Sequence, residues 1–253
     1  MKEVKAIDAS HYLLEMQLLR EKIPSFDEYP FSLPVIRNFH KLTFHPAVTF
    51  IIGENGTGKS TLLEAIATAW GFNPEGGTKN FKFTTRTSHS DLYKYTRLIK
   101  SYRRPKDGFF LRAESYFNVG TEIEKLDEEP GGPPIINSYG GKSLHEQSHG
   151  ESFFALMEHR FSGHGLYILD EPEAALSPTR QMAMLTRMHQ LIQKESQFII
   201  ATHSPIILAY PDAQIFEIVD KKILVVEYEE SEHYSITRDF LSSYKVFLRS
   251  ILE

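Results

Sequence analysis

The chain lacks three features that define whole classes of protein. Its 253 residues include no cysteine, which excludes disulfide bonds and thiolate metal sites and fits a reducing compartment. Its apolar runs are short, as at Val48–Ile52 and Phe198–Ala201, so we expect no membrane-spanning helix. No basic stretch followed by an apolar segment opens the chain, and we therefore expect a cytoplasmic location.

The chain also lacks a strong charge of one sign, with 28 basic and 33 acidic residues and a net charge of −5. This balance argues against general affinity for nucleic acid. One segment departs from it, because 79–112 contains ten basic and two acidic residues, interleaved with Tyr93, Tyr95 and Tyr102. Two interpretations stay open: a surface for nucleic acid or another acidic partner, or a solvated charged face.

A glycine-rich motif follows the strongest strand candidate. Val48–Ile52 is typical of a buried strand, and GENGTGKST at 53–61 comes directly after it. The motif has the P-loop pattern, whose glycines let backbone N–H groups turn inward and cradle phosphate. It predicts that Lys59 reaches the phosphates of ATP and that the Ser60 hydroxyl binds Mg²⁺. The residues predicted to bind ATP here are Asn55, Gly56, Thr57, Gly58, Lys59, Ser60 and Thr61.

Two acids and a histidine follow two later apolar runs. Asp170 ends the run LYILD and is predicted to support Mg²⁺, while Glu171 is predicted to activate the attacking water. His203 comes after QFIIAT and is a candidate sensor of the γ-phosphate. Because parallel strands end at one edge of a sheet, we expect these residues to meet Lys59 there.

The remaining pattern predicts the chain's organisation as one domain over 1–253. Short strands are expected at Glu15–Arg20 and Leu42–Phe44, and a helix at Lys59–Trp70. Residues 72–160 are polar and irregular, and we interpret them as an inserted helical lobe. The predicted fold class is α/β: a parallel P-loop core sheet with an N-terminal antiparallel β portion and the inserted lobe.

Two helices are predicted near the end of the chain. Ser177 and Pro178 suit the N-cap and first position of one of them. A second helix is expected from about Thr237 to Leu252, after two strands. The apolar stripe of the first is predicted to be Met182, Leu185, Met188 and Ile192.

These motifs together resemble those of the ABC-type ATPases, which include transporter nucleotide-binding domains and the SMC/RecF group. GENGTGKST looks like their Walker A motif, SHGES at 148–152 like their signature motif, and ATHSP like their switch histidine. LDEPEAALSP is similar to their Walker B motif and D-loop. IRNF at 36–39 is similar to the opening of the SMC/RecF-like AAA-family ATPases. His40 and Lys41 follow it, where that group often contacts nucleotide.

The resemblance implies a mode of action in which two chains share ATP. In this family the signature serine and glycine contact the γ-phosphate bound by the opposite subunit, which implies that Ser148 and Gly150 act in trans. Three departures accompany it: His149 replaces a signature glycine, Ser177 replaces the D-loop aspartate, and Glu114 is the nearest match to the Q-loop glutamine. Glu114 remains a candidate metal ligand.

Three functions share this machinery. The favoured one is a soluble ATPase that works as an ATP-sandwiched homodimer and is linked to nucleic acid or defence. The second is the nucleotide-binding subunit of an ABC transporter, which requires a membrane partner. The third is an ATP-gated binding module that does not hydrolyse ATP. The departures in the signature motif and the D-loop favour it.

Overall fold

The computed structural model of the chain describes residues 12–79, 89–113, 116–128 and 133–252. Short 3₁₀ turns join many of its elements. The strands are β1 (Leu13–Leu18), β2 (Lys41–Thr43), β3 (Val48–Gly53), β4 (Thr96–Lys100), β5 (Asp107–Arg112), β6 (Gly165–Asp170), β7 (Gln197–Ala201), β8 (Gln214–Val219) and β9 (Lys222–Val226). The helices are α1 (Pro34–Asn38), α2 (Lys59–Trp70), α3 (Tyr116–Glu128), α4 (His149–Ala155), α5 (Pro178–Gln193), α6 (Pro205–Leu208) and α7 (Glu232–Leu252).

The main sheet has six strands in the order β5-β6-β7-β3-β8-β9. All neighbouring strands in it run parallel except the last pair, β8 and β9. Its central strands are buried on both faces, and alternate residues enter two separate cores: Phe50 packs into one, and Ile51 into the other. This is the arrangement of a parallel sheet covered by helices on both sides, and it confirms the predicted fold class.

A second, antiparallel sheet has the order β2-β1-β4. It is tied to the main sheet by the buried side chain of Gln197, the first residue of β7. The Gln197 amide oxygen accepts hydrogen bonds from the backbone N–H groups of Tyr12 and Leu13, and its nitrogen donates to the carbonyls of Leu13 and His45. One side chain thus satisfies four backbone groups where the two sheets meet.

The segment 72–160 differs from the helical lobe that we expected. Strand β4 pairs with β1 in the small sheet, and β5 forms the edge of the main sheet beside β6. Among the described residues of this segment, the α-helices are α3 and α4, and a π turn at Leu156–Arg160 continues α4. Strands are hard to see here because TRLIK and DGFFLR are short and carry charges, and their partners lie far away in sequence.

Helix α5 begins at the predicted cap, since Ser177 precedes Pro178 and its hydroxyl accepts the Arg180 N–H. Its predicted stripe was partly wrong. Met182 is exposed, whereas Met184, Met188 and Leu191 are buried. Leu185 and Ile192 are partly buried against the core. The buried stripe is therefore shifted to one side of the predicted one, because apolar residues in MAMLTRM satisfy helical spacing in two phases.

Helix α7 starts one turn earlier than expected, at Glu232, and bends at Ser243. Its far half leaves the body of the protein, and Leu241, Val246 and Leu252 are well exposed. No helix among the described residues is long and apolar enough to cross a membrane.

Candidate active site

The P-loop joins β3 to α2 at the carboxyl edge of the main sheet. Gly58 caps α2 with φ +103°, a conformation that favours glycine, and a Cβ there would lie 2.9 Å from the Val35 side chain. Lys59 is buried, and its ammonium donates to the carbonyls of Gly53 and Glu54 at 2.8 and 2.9 Å. The lysine is thereby folded against its own loop.

The charge of Lys59 is balanced by acids around the site. Burial lowers the pKa of its ammonium, while the carboxylates of Glu171 and Asp170 raise it, with smaller contributions from Glu173 and Glu54. The net direction is downward, so burial outweighs the acids. The buried ammonium of Lys59 is a cationic donor at this edge, of the kind that an anionic ligand such as phosphate prefers.

Ser60 and Asp170 are far apart in the sequence but close together in the structure. The Ser60 hydroxyl donates to the Asp170 carboxylate at 3.1 Å, because α2 begins and β6 ends at the same edge of the sheet. Asp170 is buried at the end of β6. A hydroxyl beside a carboxylate is an oxygen donor pair of the type that Mg²⁺ prefers, so the residues present fit the predicted metal.

Glu171 has a left-handed backbone, with φ +52°. Its N–H donates to the Ala201 carbonyl at 2.9 Å, which binds the end of β6 to the end of β7. Its carboxylate lies 3.4 Å from Nε2 of His203. A non-glycine residue in this region of φ is held there at a cost of about 1–2 kcal/mol, and such residues are concentrated at functional sites.

His203 is held from two sides. Its backbone N–H donates to the Glu173 carboxylate at 2.5 Å, and that carboxylate also accepts the Thr202 hydroxyl. Its ring Nδ1 lies 2.9 Å from Nε2 of His233, in the first turn of α7. Burial and the nearby Lys59 lower the pKa of His203, which outweighs the opposing effect of Glu171. The ring is therefore held neutral.

The predicted signature segment lies at the start of α4. Ser148 is exposed and forms a capping box with Glu151, whose carboxylate accepts from the Ser148 N–H and hydroxyl. Gly150 packs against the turn after Glu171: a Cβ on it would lie 2.6 Å from the Ala175 carbonyl and 2.7 Å from the Arg180 guanidinium. The close approach requires glycine for packing within one chain.

Two predicted site residues, His40 and Lys41, lie apart from this cluster. Lys41 forms an ion pair with Glu15 in the small sheet at 3.1 Å, and the His40 side chain is exposed. Their assignment to nucleotide stays a prediction. Glu114 lies outside the described residues, as do residues 80–88 of the basic segment.

Sequence reasoning missed three residues around the site. Glu173 was not predicted because Asp170 and Glu171, just before it, already accounted for the acidic roles. His233 was not predicted because the last helix was expected to begin later, at about Thr237. Tyr29 is 63% exposed, and its hydroxyl lies 3.4 Å from that of Thr61. Glu173 could have been found as the third acid in DEPE. The contacts of His233 and Tyr29 could not, because they are made with segments that are distant in sequence.

Comparisons with known proteins agree with this geometry. One family model, described as "AAA domain", matches residues 29–139, and another, described as "AAA domain, putative AbiEii toxin, Type IV TA system", matches 143–209. A putative ABC transporter ATP-binding protein of Caldanaerobacter subterraneus subsp. tengcongensis, TTE0246, is 25% identical over 221 residues, which cover 80% of this chain and 86% of that protein. Another from Geobacter sulfurreducens, GSU3001, is 24% identical over 173 residues, which cover 61% of this chain and 58% of that protein.

Two solved structures share the fold. CbiO1 of Clostridium perfringens, part of an ABC transporter complex, has a TM-score of 0.51 at 18% identity, and MJ1267, an ATP-binding cassette of an ABC transporter, has 0.54 at 18%. In both cases the match covers 93% of this chain and 97% of the other.

The fold and the cluster of side chains at its strand ends define a P-loop NTPase. The matches narrow the class: the chain resembles the ABC-type ATPases, to which the transporter ATP-binding proteins and the ATP-binding cassettes named above belong.

Proposed function

We propose that the chain hydrolyses ATP to ADP and phosphate. The observation that carries this proposal is the meeting of Lys59, the Ser60–Asp170 pair and the Glu171–His203 pair at one edge of the sheet. Lys59 exchanges its carbonyl partners for phosphate oxygens when ATP binds. Glu171, beside the neutral His203, accepts a proton from the attacking water. His203 donates its Nε2–H to the γ-phosphate.

The metal that this family uses has fitting ligands in the chain. Ser60 and Asp170 would hold Mg²⁺, which neutralises charge on the phosphates when bound. The exposed ring of Tyr29 beside Thr61 offers a face on which a purine base stacks.

The second half of the site comes from another copy of the chain. Ser148 is exposed and bonded only within its own capping box among the contacts described for it, and the family places this segment against ATP held by the opposite subunit. Two ATP molecules would thus join two chains head to tail. Ser148 and Gly150 then complete the phosphate site in trans.

The substitution Glu171→Gln tests both parts of the proposal. It removes the proton acceptor while keeping the size of the side chain, so we expect phosphate release to stop and an ATP-bound dimer to accumulate. Light scattering at saturating ATP and Mg²⁺ measures the dimer, and a phosphate assay measures turnover. A variant that stays monomeric contradicts the shared site, and one that turns over normally contradicts the role of Glu171.

Two controls make the result specific. Glu158→Gln removes a negative charge from an exposed residue in the π turn and should leave turnover unchanged. The double variant Lys59→Ala/Glu171→Gln should stay monomeric, because the γ-phosphate that joins the chains is no longer gripped. A third candidate, ATP-gated binding without hydrolysis, predicts instead that the wild type dimerises with ATP but releases no phosphate.

A link to nucleic acid is favoured by one cluster of cations. Lys79 and Lys100 lie over the ring of Trp70 at 4.9 and 4.4 Å. Burial lowers the pKa of both ammonium groups, and repulsion from Arg104 lowers both further; the pKa of Lys79 is also lowered by Lys100. Cations that repel one another are relieved by an anion, and a phosphate backbone supplies anions at regular spacing.

The salt dependence of binding tests this candidate. If a single-stranded oligonucleotide binds here, log affinity should fall with log salt by about 0.7 per phosphate contacted. Fluorescence anisotropy measures the slope, and Lys79→Gln/Lys100→Gln should make it shallower. Lys221→Gln/Lys222→Gln, at the exposed hairpin of β8 and β9, is the matched control. Affinity that does not change with salt removes the candidate.

The transporter candidate rests on the names of the relatives, since TTE0246 and GSU3001 are both named as transporter ATP-binding proteins. It predicts that the chain co-purifies in detergent with membrane proteins encoded beside its gene. If the chain is expressed together with those membrane proteins and still purifies without them, the transporter candidate is contradicted.

A further inference from the structure

The first turn of α7 brings a second histidine to the switch histidine. His233 Nε2 lies 2.9 Å from His203 Nδ1, with ring centroids 5.1 Å apart. The start of α7 is itself anchored: the Glu232 N–H donates to the buried Glu217 carboxylate at 3.0 Å, and the Ser231 hydroxyl donates to the Tyr228 carbonyl at 2.6 Å. The two residues before His233 are therefore anchored, which fixes the first turn of the helix that carries it.

A bond between two imidazole nitrogens requires one of them to be the donor. Each neutral ring carries one N–H, so the proton on one ring decides which atom of the other is protonated. Burial lowers the pKa of both His203 and His233, which favours two neutral rings. Only two arrangements of protons then give a bond between them.

Glu171 decides between the two arrangements. Its carboxylate lies 3.4 Å from Nε2 of His203, and a carboxylate only accepts. A proton on that Nε2 faces the carboxylate favourably, whereas a bare lone pair would face another lone pair. His203 Nδ1 is then the acceptor, and His233 Nε2–H is the donor.

We propose that His233 is a positioning residue for His203: by donating its Nε2–H, it holds His203 in the tautomer that presents Nε2–H to the phosphate edge of the site. The tautomer follows from the geometry of the chain itself. The kinetic consequence rests on the proposed hydrolysis, in which an N–H at this position faces an anionic oxygen that gains charge in the transition state.

Nitrogen NMR of the wild-type protein without nucleotide tests the tautomer directly. In protein whose histidines are labelled with ¹⁵N, protonated and unprotonated ring nitrogens have well-separated chemical shifts. The signals of each ring are assigned from those that disappear in His203→Gln and in His233→Gln. We expect His203 to be protonated at Nε2 and bare at Nδ1, and His233 to be protonated at Nε2. A proton on His203 Nδ1 overturns the proposal, whether or not the protein hydrolyses ATP.

Turnover of a matched pair of variants tests the consequence. His233→Leu removes the donor and should lower kcat about 10- to 100-fold, as the loss of a supporting partner does elsewhere, with KM for ATP changed less than about threefold. His233→Gln keeps an N–H donor and should retain most of kcat. His189→Leu, which removes an exposed histidine of α5 bonded to Tyr210, should leave both constants unchanged.

Equal kcat in the Leu and Gln variants overturns the positioning role. Circular dichroism establishes that the Leu variant is folded before its rate is compared. If the wild type shows no turnover, hydrolysis fails as the proposed function, and the NMR result alone decides the tautomer.

Discussion

The two ends of the main sheet differ in how completely their polar groups are bonded. At the amino end, the Asp107 carboxylate accepts from the Ser162 N–H, Arg160 and the Tyr167 hydroxyl, and Gln197 makes four hydrogen bonds. Left-handed backbone does not separate the ends, because His164 and Glu195, before β6 and β7, share it with Glu171, after β6. At the carboxyl end, two buried ring nitrogens, His203 Nε2 and His233 Nδ1, have no hydrogen-bond partner within the described part of the chain.

The difference indicates a division of labour within one sheet. The unsatisfied ring nitrogens of His203 and His233 cost about 1–3 kcal/mol each. Such costs are tolerated at one edge only if the rest of the fold is well bonded. Substitutions at the amino end should therefore change stability and leave turnover alone, and those at the carboxyl end should do the reverse.

The largest expected effect is at the carboxyl end. Lys59→Ala and Ser148→Ala should each lower turnover by about 10²–10³, the usual cost of losing a preorganised donor to a transition state. A mixture of the two variants should regain activity, because one of the two sites in a head-to-tail dimer then has both its Lys59 and its Ser148. Titration of one variant into the other, followed by phosphate release, measures this recovery. A mixture as inactive as its components contradicts sharing.

The next effect is at the amino end. Gln197→Met keeps the length of the side chain but removes the partners of four backbone groups, so we expect a loss of about 3 kcal/mol or more in unfolding free energy. Urea denaturation measures it. The activity of the folded variant at low temperature should equal that of the wild type, and a large loss there would contradict the division.

Asp107→Asn should cost about 2 kcal/mol at pH 7. Burial alone would raise the pKa of Asp107, but the Ser162 N–H, the Arg160 charge and Tyr167 hold it below its ordinary value. A carboxyl with a lowered folded pKa stabilises above its unfolded pKa of about 3.9, and this stability is lost as pH falls through the folded pKa. The difference between variant and wild type should therefore shrink below about pH 4. A difference independent of pH would contradict the role of the charge.

The smallest effect has the opposite sign. Glu171→Gly relieves the left-handed backbone, so it should raise the unfolding free energy by about 0.5 kcal/mol after the entropy of glycine is subtracted, while abolishing turnover. Glu171→Ala also abolishes turnover but keeps a Cβ, and it should give no such gain. Equal stability of the two variants would show that Glu171 stores no strain.

Local signals predicted the parts of the molecule that are set locally. The helix Lys59–Trp70 is observed as predicted, because the P-loop starts it and Gly71 ends it. Strands that end at Asp170 and Ala201 were evident from their apolar runs, and their parallel pairing brought the predicted acids and histidine together.

The features that were missed depend on distant residues. Strand β4 is defined by pairing with β1, more than seventy residues earlier, and the first turn of α7 by the Glu217 carboxylate. The phase of α5 followed its packing, which buries Met184 instead of Met182. The spacing of apolar residues alone does not contain this information.

The position of His233 gives α7 a mechanical property. The helix bends at Ser243, so its straight first part is about 16 Å long, and its base touches His203 while its far half stands clear of the body. Each degree of tilt at the base moves the bend by about 0.3 Å. A rearrangement around His203 therefore displaces the exposed far half of the helix by more than it displaces the ring itself.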